Sequence, residues 1–121
     1  MDDHTDPAKS GPGVWHVLHT EAIEAKTEDE AQKYIVYATR IIENFPCKTC
    51  TEHSKKYMMD NPMSTYIKQK INGQPLGMFY WTWSFHNNVN SRLRKSIMDF
   101  DTACNLYKKK NSCSNVCMGS K

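Results

Sequence analysis

The sequence predicts an all-α fold, a small helical bundle within a single domain. Apolar residues recur in several segments at the spacing that places them on one face of a helix. No segment alternates apolar and polar residues at strand period over a useful length, and no internal repeat is present. A chain of 121 residues has the length of one domain. We therefore expect a folded domain over residues 12–110, a disordered segment over residues 1–11 and a flexible tail over residues 111–121.

Two amphipathic helices are predicted in the N-terminal part. The first extends from about Pro12 to Lys26. Its inner face contains Trp15, Leu18, His19, Ala22 and Ile23. The second begins at Thr27, because Thr27 and Glu30 have the spacing of a capping box, and it continues to about Phe45. Its apolar face contains Ala31, Tyr34, Ile35, Ala38, Ile41, Ile42 and Phe45.

A third helix is predicted over residues 47–60, because Pro46 ends the second helix and can start a new one. Asn61-Pro62 then ends it. Residues 62–76 are interpreted as a loop, with a short turn of helix near Tyr66–Lys70. 

Two further helices complete the prediction. The fourth extends from about Met78 to Arg94. The short fifth covers residues 102–110 and is capped by Asp99 or Asp101.

Composition argues against several classes of protein. The net charge of +3 is spread over helical faces, so nucleic-acid binding is not expected. The basic run from Arg92 to Lys95 is interpreted as a solvated face, or as a contact to an anionic group of a cofactor.

No apolar stretch reaches the roughly 18–20 residues of a membrane span, and residues 1–13 do not form a signal peptide. We therefore expect an intracellular protein with no membrane span. In such a protein, cysteines spaced C-x-x-C are more often catalytic or metal-binding than structural.

A dithiol motif, Cys47-x-x-Cys50, lies at the predicted start of the third helix. Unpaired backbone N–H groups and the helix dipole lower the pKa of a thiol at this position. Cys47 is expected at the exposed end, and Cys50 one turn further in. This arrangement favours redox exchange, with Cys47 meeting an outside thiol and Cys50 an inner partner.

Other interpretations of the dithiol fit less well. A thioredoxin-like site needs a strand before the helix, and here a helix precedes it. A disulfide across so short a loop would stabilise the fold little. A zinc site would need two more ligands, and Cys113 and Cys117 match the usual ligand spacing only loosely. A non-enzymatic zinc-binding interaction module using these four cysteines remains the alternative function.

A polar cluster in the fourth helix points to a bound planar group. His86 and Asn90 are one turn apart on the same side, among Trp81, Trp83 and Phe85. Such a set can line a slot for a heteroaromatic ring. A core histidine with two surface asparagines is the alternative for His86 alone.

Together these motifs resemble a known family. They are Gly11-Pro12-x-x-Trp15-x-x-Leu18-His19, Pro46-Cys47-x-x-Cys50 and Trp81-x4-His86-Asn87-x-Val89-Asn90-x-x-Leu93-x-Lys95. In order and approximate spacing, over residues 11–110, the chain resembles the Erv/ALR family of FAD-linked sulfhydryl oxidases, in particular the minimal forms of large DNA viruses.

The resemblance implies a four-helix bundle with a short fifth helix, which binds FAD beside the dithiol. Cys47 would exchange with substrate, and Cys50 would lie next to the flavin. The other cofactor-binding residues that the resemblance implies are Trp15, His19, His53, Trp81, His86, Asn87, Val89, Asn90, Leu93, Lys95 and Tyr107. For His53, a solvated position on its helix is an equal alternative. No metal site is implied.

Cellular members of this family often carry a disulfide between the fourth and fifth helices. Trp83 and Phe100 occupy the matching positions here. An aromatic contact between them is predicted to take its place.

The resemblance also implies the reaction and the partners. A dithiol protein, thioredoxin-like or viral, would be oxidised, and its electrons would pass through the dithiol and FAD to O2, giving H2O2. A homodimer located in the cytoplasm or the virion is implied. Cys113 and Cys117 are hypothesised to shuttle electrons from bulky substrates to Cys47. A disordered tail with an incidental disulfide is the alternative for that pair.

Overall fold

A computed structural model describes residues 7–45 and 47–108, with side chains from residue 13 onward. The all-α prediction is confirmed. Within these ranges, β pairing is limited to one isolated bridge between Ile71 and Gln74. The helices are α1 (Pro7–Glu24), α2 (Glu28–Glu43), α3 (Lys48–Asp60), a short 3-10 helix (Met63–Tyr66), α4 (Gly77–Arg92) and α5 (Phe100–Tyr107). Pro46 and the tail cysteines, Cys113 and Cys117, lie outside the described residues.

The first two helices follow the predicted pattern with shifted ends. α1 begins at Pro7 rather than at Pro12, so it includes residues that were assigned to the disordered segment. The predicted capping box at the start of α2 is confirmed. The Thr27 hydroxyl accepts from the Glu30 N–H at 3.1 Å, and the Glu30 carboxylate accepts from the Thr27 N–H at 3.1 Å. These two bonds satisfy backbone donors that a helix start leaves unpaired.

The segment between α3 and α4 is tighter than a simple loop. Its helical turn lies at Met63–Tyr66, earlier than predicted, directly after Pro62. Asn72 and Gly73 both have positive φ angles, 55° and 78°. Two such residues in sequence form a tight reverse turn, and here the backbones of Ile71 and Gln74 close it with two hydrogen bonds of 2.9 Å.

The last two helices depend on particular residues at their starts. A β-carbon on Gly77, the first residue of α4, would collide with the backbone carbonyl oxygen of Tyr66, so only glycine fits there. Asp99 caps α5, since its carboxylate accepts from the Thr102 N–H at 3.1 Å. This settles the predicted choice between Asp99 and Asp101.

The core is built around α4, which packs most extensively against α1. Phe79, Trp81 and Phe85 on α4 are at most 1% exposed. The Tyr34 hydroxyl joins three helices, because it donates to the Leu18 carbonyl at 2.9 Å and lies 2.7 Å from the Thr82 hydroxyl. Among the helices of the described ranges, none has the length and apolar character to cross a membrane.

Candidate active site

The dithiol forms the N-terminal end of α3. Cys47 is the N-cap residue, and its Sγ accepts from the backbone N–H of Cys50 at 3.2 Å. Cys47 is partly exposed, whereas Cys50 is buried one turn further along. Both thiols are free. The predicted arrangement of one outer and one inner sulfur is therefore present.

The two thiols have opposite pKa shifts. The pKa of Cys47 is lowered, mainly because its sulfur accepts a hydrogen bond from the Cys50 side chain, with help from the N–H groups of Thr49 and Cys50. Burial, together with the hydrogen bond to Cys47, raises the pKa of Cys50 to about 11. The negative charge of the reduced pair therefore lies on Cys47. An exposed thiolate is the form that attacks, and is attacked by, another sulfur.

A basic residue that sequence analysis assigned to a solvated face influences the dithiol. The positive charge of Arg92 lowers the pKa of both thiols, although burial outweighs it at Cys50. Arg92 is at the end of α4, two turns after the buried Phe85. That seven-residue spacing was the signal available in the sequence, because residues seven apart share a helix face.

Arg92 also lines a polar cavity of about 320 Å³ between α3 and α4. Its other lining residues are His53, Lys56, Tyr57, Asp60, Asn88 and Ser91. His53 is exposed on α3 and lines this cavity, not the second cavity described below.

A second cavity, of about 490 Å³, lies between α1, α4 and α5. It brings together seven of the residues predicted to bind a cofactor, namely Trp15, His86, Val89, Asn90, Leu93, Lys95 and Tyr107. It is completed by residues that the prediction missed, namely His16, Ser96, Met98 and Leu106. Aromatic and apolar walls with a few polar groups are typical of a small-molecule site.

Two stacked rings, Trp15 and His86, line this cavity, and the buried ring of His19 contacts His86. The indole of Trp15 stacks on His86 with ring centroids 3.9 Å apart and planes 6° apart. His86 Nδ1 lies 2.8 Å from Nε2 of the fully buried His19. Burial lowers the pKa of His19 to about 3 and that of His86 to about 4. Both imidazoles are therefore neutral near pH 7.

The surroundings of His19 select one tautomer of the pair. His19 Nδ1 is buried without a hydrogen-bond partner. A proton on Nδ1 would be an unpaired buried donor, so the proton belongs on Nε2, which donates to His86. His86 must then carry its own proton on Nε2. That N–H is available to an acceptor in the cavity.

The comparison with known proteins identifies the family. Residues 12–112 match the model of the Erv1/Alr family, a span that contains the dithiol and the aromatic cavity. The chain belongs to the Erv1/Alr family. An African swine fever virus protein named FAD-linked sulfhydryl oxidase is 34% identical over 100 residues, covering 80% of this chain and 78% of the relative. A yeast protein named mitochondrial FAD-linked sulfhydryl oxidase ERV1 is 25% identical over 111 residues, covering 89% of this chain and 53% of the relative.

Two of the predicted cofactor residues have structural roles in this Erv1/Alr protein. The indole N–H of Trp81 donates to the Asn61 carbonyl at 2.7 Å, within the core. The Asn87 amide donates to the Met98 carbonyl at 2.8 Å and accepts from the Met98 N–H at 3.1 Å. Asn87 thus holds the connection between α4 and α5 against one wall of the aromatic cavity. 

The aromatic contact predicted in place of a disulfide is confirmed. The rings of Trp83 and Phe100 meet edge to face, with centroids 5.4 Å apart and planes 89° apart. The indole N–H of Trp83 also donates to the Met98 carbonyl at 2.7 Å. At that point this Erv1/Alr chain therefore joins α4 to α5 by apolar packing, and α4 to the connection before α5 by a hydrogen bond.

Proposed function

We propose that this protein is a FAD-linked thiol oxidase, which forms disulfides in dithiol substrates and passes the electrons through Cys47 and Cys50 to FAD and then O2, with H2O2 as product. The observation that carries the proposal is a polarised dithiol at a helix start, in a domain that also holds an aromatic, histidine-lined cavity. The family match and the names of the relatives support the same enzyme and the same cofactor.

The residues of the aromatic cavity fit part of FAD. A volume of about 490 Å³ lies within the range of roughly 300–1,000 Å³ found for small-molecule sites. Trp15 and Tyr107 present flat faces, and the Nε2–H of His86 offers a donor to a ring nitrogen. Lys95 offers positive charge for a phosphate. When bound, FAD supplies the capacity to take two electrons from thiols and pass them to oxygen.

The thiol chemistry follows from the polarity of the dithiol. A substrate thiolate attacks Cys47 Sγ of the oxidised pair, the bond between Cys47 and Cys50 breaks, and the electron pair leaves on Cys50 Sγ. The second substrate thiolate then attacks the substrate sulfur of the mixed disulfide and releases Cys47 as a thiolate. The substrate loses two electrons, and the chain's dithiol gains them.

An absorbance spectrum and an oxidase assay test the function. Purified protein is expected to be yellow and to convert dithiothreitol to its disulfide with release of H2O2. A colourless protein that contains one zinc ion per chain and has no oxidase activity would instead support the alternative, a zinc-binding interaction module.

We further propose a homodimer formed through α1 and α2. Val17, Val36 and Tyr37 are apolar side chains that are 37%, 56% and 40% exposed on these two helices. Burying them against a second copy would remove apolar surface from water. Light scattering of the wild type should give twice the chain mass, and Tyr37→Arg should shift it to the mass of one chain.

Thioredoxin-like or viral dithiol proteins are the expected substrates, and the expected location is the cytoplasm or the virion, which fractionation would test.

The proposed role of Cys113 and Cys117 is to shuttle electrons from bulky substrates to Cys47, and truncation after Lys110 tests it. A shuttle requires slower oxidation of a protein dithiol while oxidation of dithiothreitol persists, and equal retention of both activities would reject it.

A further inference from the structure

We propose that a disulfide from Cys104 fastens the C-terminal tail to α5 and thereby holds one wall of the aromatic cavity. Cys104 is disulfide-bonded, whereas Cys47 and Cys50 are both free thiols. The chain contains five cysteines, and the other two are Cys113 and Cys117. By elimination, the partner of Cys104 is one of these two tail cysteines, which lie outside the described residues.

The position of Cys104 connects this bond to the cavity. Cys104 is fully buried on α5, a helix of eight residues that packs against α1 and α4. Directly after it, Leu106 and Tyr107 line the aromatic cavity. The Cys104 carbonyl also closes the end of α5, since it accepts from the Lys108 N–H at 3.0 Å. A helix this short has little stability of its own, so a covalent link at this turn helps to hold the cavity wall in place.

Tyr107 connects this wall to the rest of the site. Its ring centroid lies 4.4 Å from that of His19 and 6.4 Å from that of Phe79. If the end of α5 moved away, both contacts would be lost, and the cavity would open on that side. The link at Cys104 therefore favours retention of a ligand in the cavity.

The burial of Cys104 favours a lasting link over a relay for substrate electrons. Cys104 is 0% exposed, so an outside thiolate can attack only the tail sulfur of the bond, and Cys104 is then the leaving group. Apolar surroundings raise the pKa of a thiol, and a thiol of higher pKa leaves more slowly. A tail cysteine bonded to Cys104 is also unavailable to the other tail cysteine. The shuttle proposed above would therefore first require exchange of this bond.

Formation of the bond removes two protons and two electrons from the two thiols. A thiol oxidase supplies a suitable oxidant, because the disulfide form of Cys47 and Cys50 takes up such an electron pair. Both active-site thiols are free while the Cys104 bond is intact, so one molecule holds the two pairs in different redox states. The covalent state of Cys104 can be measured without flavin or turnover, so its test does not depend on the thiol oxidase function.

Tryptic mapping without reduction measures this pairing directly. Free thiols of the wild type are first blocked with N-ethylmaleimide in denaturant at mildly acidic pH, where thiolates are few and exchange is slow. Trypsin then separates Cys104, in peptide 96–108, from both tail cysteines, in peptide 111–121. It also cuts after Lys48, between the two active-site cysteines, so each disulfide gives a mass of its own.

The expected product is peptide 96–108 joined to peptide 111–121 by a disulfide, with N-ethylmaleimide on the remaining tail cysteine. The protein should migrate as a single chain on a non-reducing gel. Dithiothreitol should reduce the active-site pair of the folded protein first and break this link only after denaturant is added. An unlinked peptide 96–108 with a blocked Cys104 would overturn the proposal, whether peptide 111–121 is bonded internally or blocked twice. A link found only in a covalent dimer would overturn it as well.

The effect on the cavity is tested by removing both possible partners without changing the core. Cys113→Ser/Cys117→Ser should lose the link, melt several degrees lower than the wild type and release flavin faster during gel filtration. Ser112→Ala/Ser114→Ala keeps both tail cysteines and is the matched control. Flavin retention and a melting temperature equal to those of the control would overturn the role of the link in the cavity wall. A wild type without flavin would reject the proposed function itself, whereas the melting temperatures would still measure the link.

Discussion

His19 and His86 share one hydrogen bond between α1 and α4, with Nε2 of the first 2.8 Å from Nδ1 of the second. Only one proton lies between the two nitrogens. Protonating His86 at Nδ1 would add a second donor to this contact, and protonating His19 would place a proton and a charge on its buried, unpartnered Nδ1. The contact between the two most extensively packed helices therefore requires neutral rings for full stability.

This requirement predicts a pH-dependent stability. Burial lowers the pKa of His19 to about 3 and that of His86 to about 4, from 6.5. At pH values between these lowered pKa values and 6.5, the unfolded chain binds more protons than the folded one. The free energy of unfolding therefore falls as pH decreases below about 6.5. The melting temperature should drop by several degrees between about pH 7 and about pH 5, and flavin release should accompany it.

A pair of variants tests the origin of this pH dependence. His19→Asn should reduce the slope of melting temperature against pH, whereas His53→Gln, which changes an exposed ring on α3, should keep it. A wild type that melts at one temperature across this range would contradict the neutral-pair interpretation.

Replacing His86 and Asn90 together with Ala should lower flavin content. Both residues line the aromatic cavity, and neither belongs to the apolar core. Because a ligand that binds only the folded state stabilises it, the melting temperature should fall as well. Flavin absorbance per chain is the measurement, and Asn88→Ala, an exposed change on the same helix, is the control. Unchanged flavin content in the double variant would place the cofactor elsewhere.

Cys50→Ser should abolish the oxidation of dithiothreitol and leave the protein folded and yellow. The serine hydroxyl cannot form the disulfide that the exchange requires, while the change in size at α3 is small. Cys47→Ser should be nearly as inactive for the same reason. Turnover at the wild-type rate in either variant would overturn the assigned roles.

Phe100→Ala should destabilise the protein by about 2–3 kcal/mol, because it removes a half-buried ring from its contact with Trp83. Chemical denaturation is the measurement. Leu106→Ala, which truncates an apolar side chain that is 59% exposed on the same helix, should cost well under that amount. Equal effects would mean that the ring contact contributes little.

Gly77→Ala should destabilise the protein by roughly 2–4 kcal/mol, since its β-carbon would collide with the Tyr66 carbonyl. Gly13→Ala meets no atom within 4 Å. Because alanine is the better helix former, that change should stabilise α1 by about 0.5–1 kcal/mol. The melting temperatures of the two variants should therefore shift in opposite directions from that of the wild type.

The sequence predicted those parts of the site that depend on helical spacing alone. His86, Asn90 and Leu93 share a face of α4 by their spacing, and the capping box of α2 is a local motif, so both could be found without tertiary information. The contact between Asn87 and Met98 could not, because it joins a helix to a loop whose path depends on packing. Arg92 was misassigned for a related reason. A long side chain at the edge of a helical face can extend into solvent or across to a neighbouring helix, and only the position of α3 decides between these.

The capping of α3 by the Cys47 sulfur links the thermodynamics of electron storage to the folding of a helix end. In the reduced pair, an electron-rich sulfur accepts from the Cys50 N–H and meets the positive end of the helix dipole. A neutral disulfide sulfur is a weaker acceptor, so each oxidation loosens the first turn of α3 and each reduction tightens it. A partner surface that binds this turn and holds it in its tight form would therefore raise the reduction potential of the pair. A substrate that docks there would itself favour the electron transfer that it undergoes.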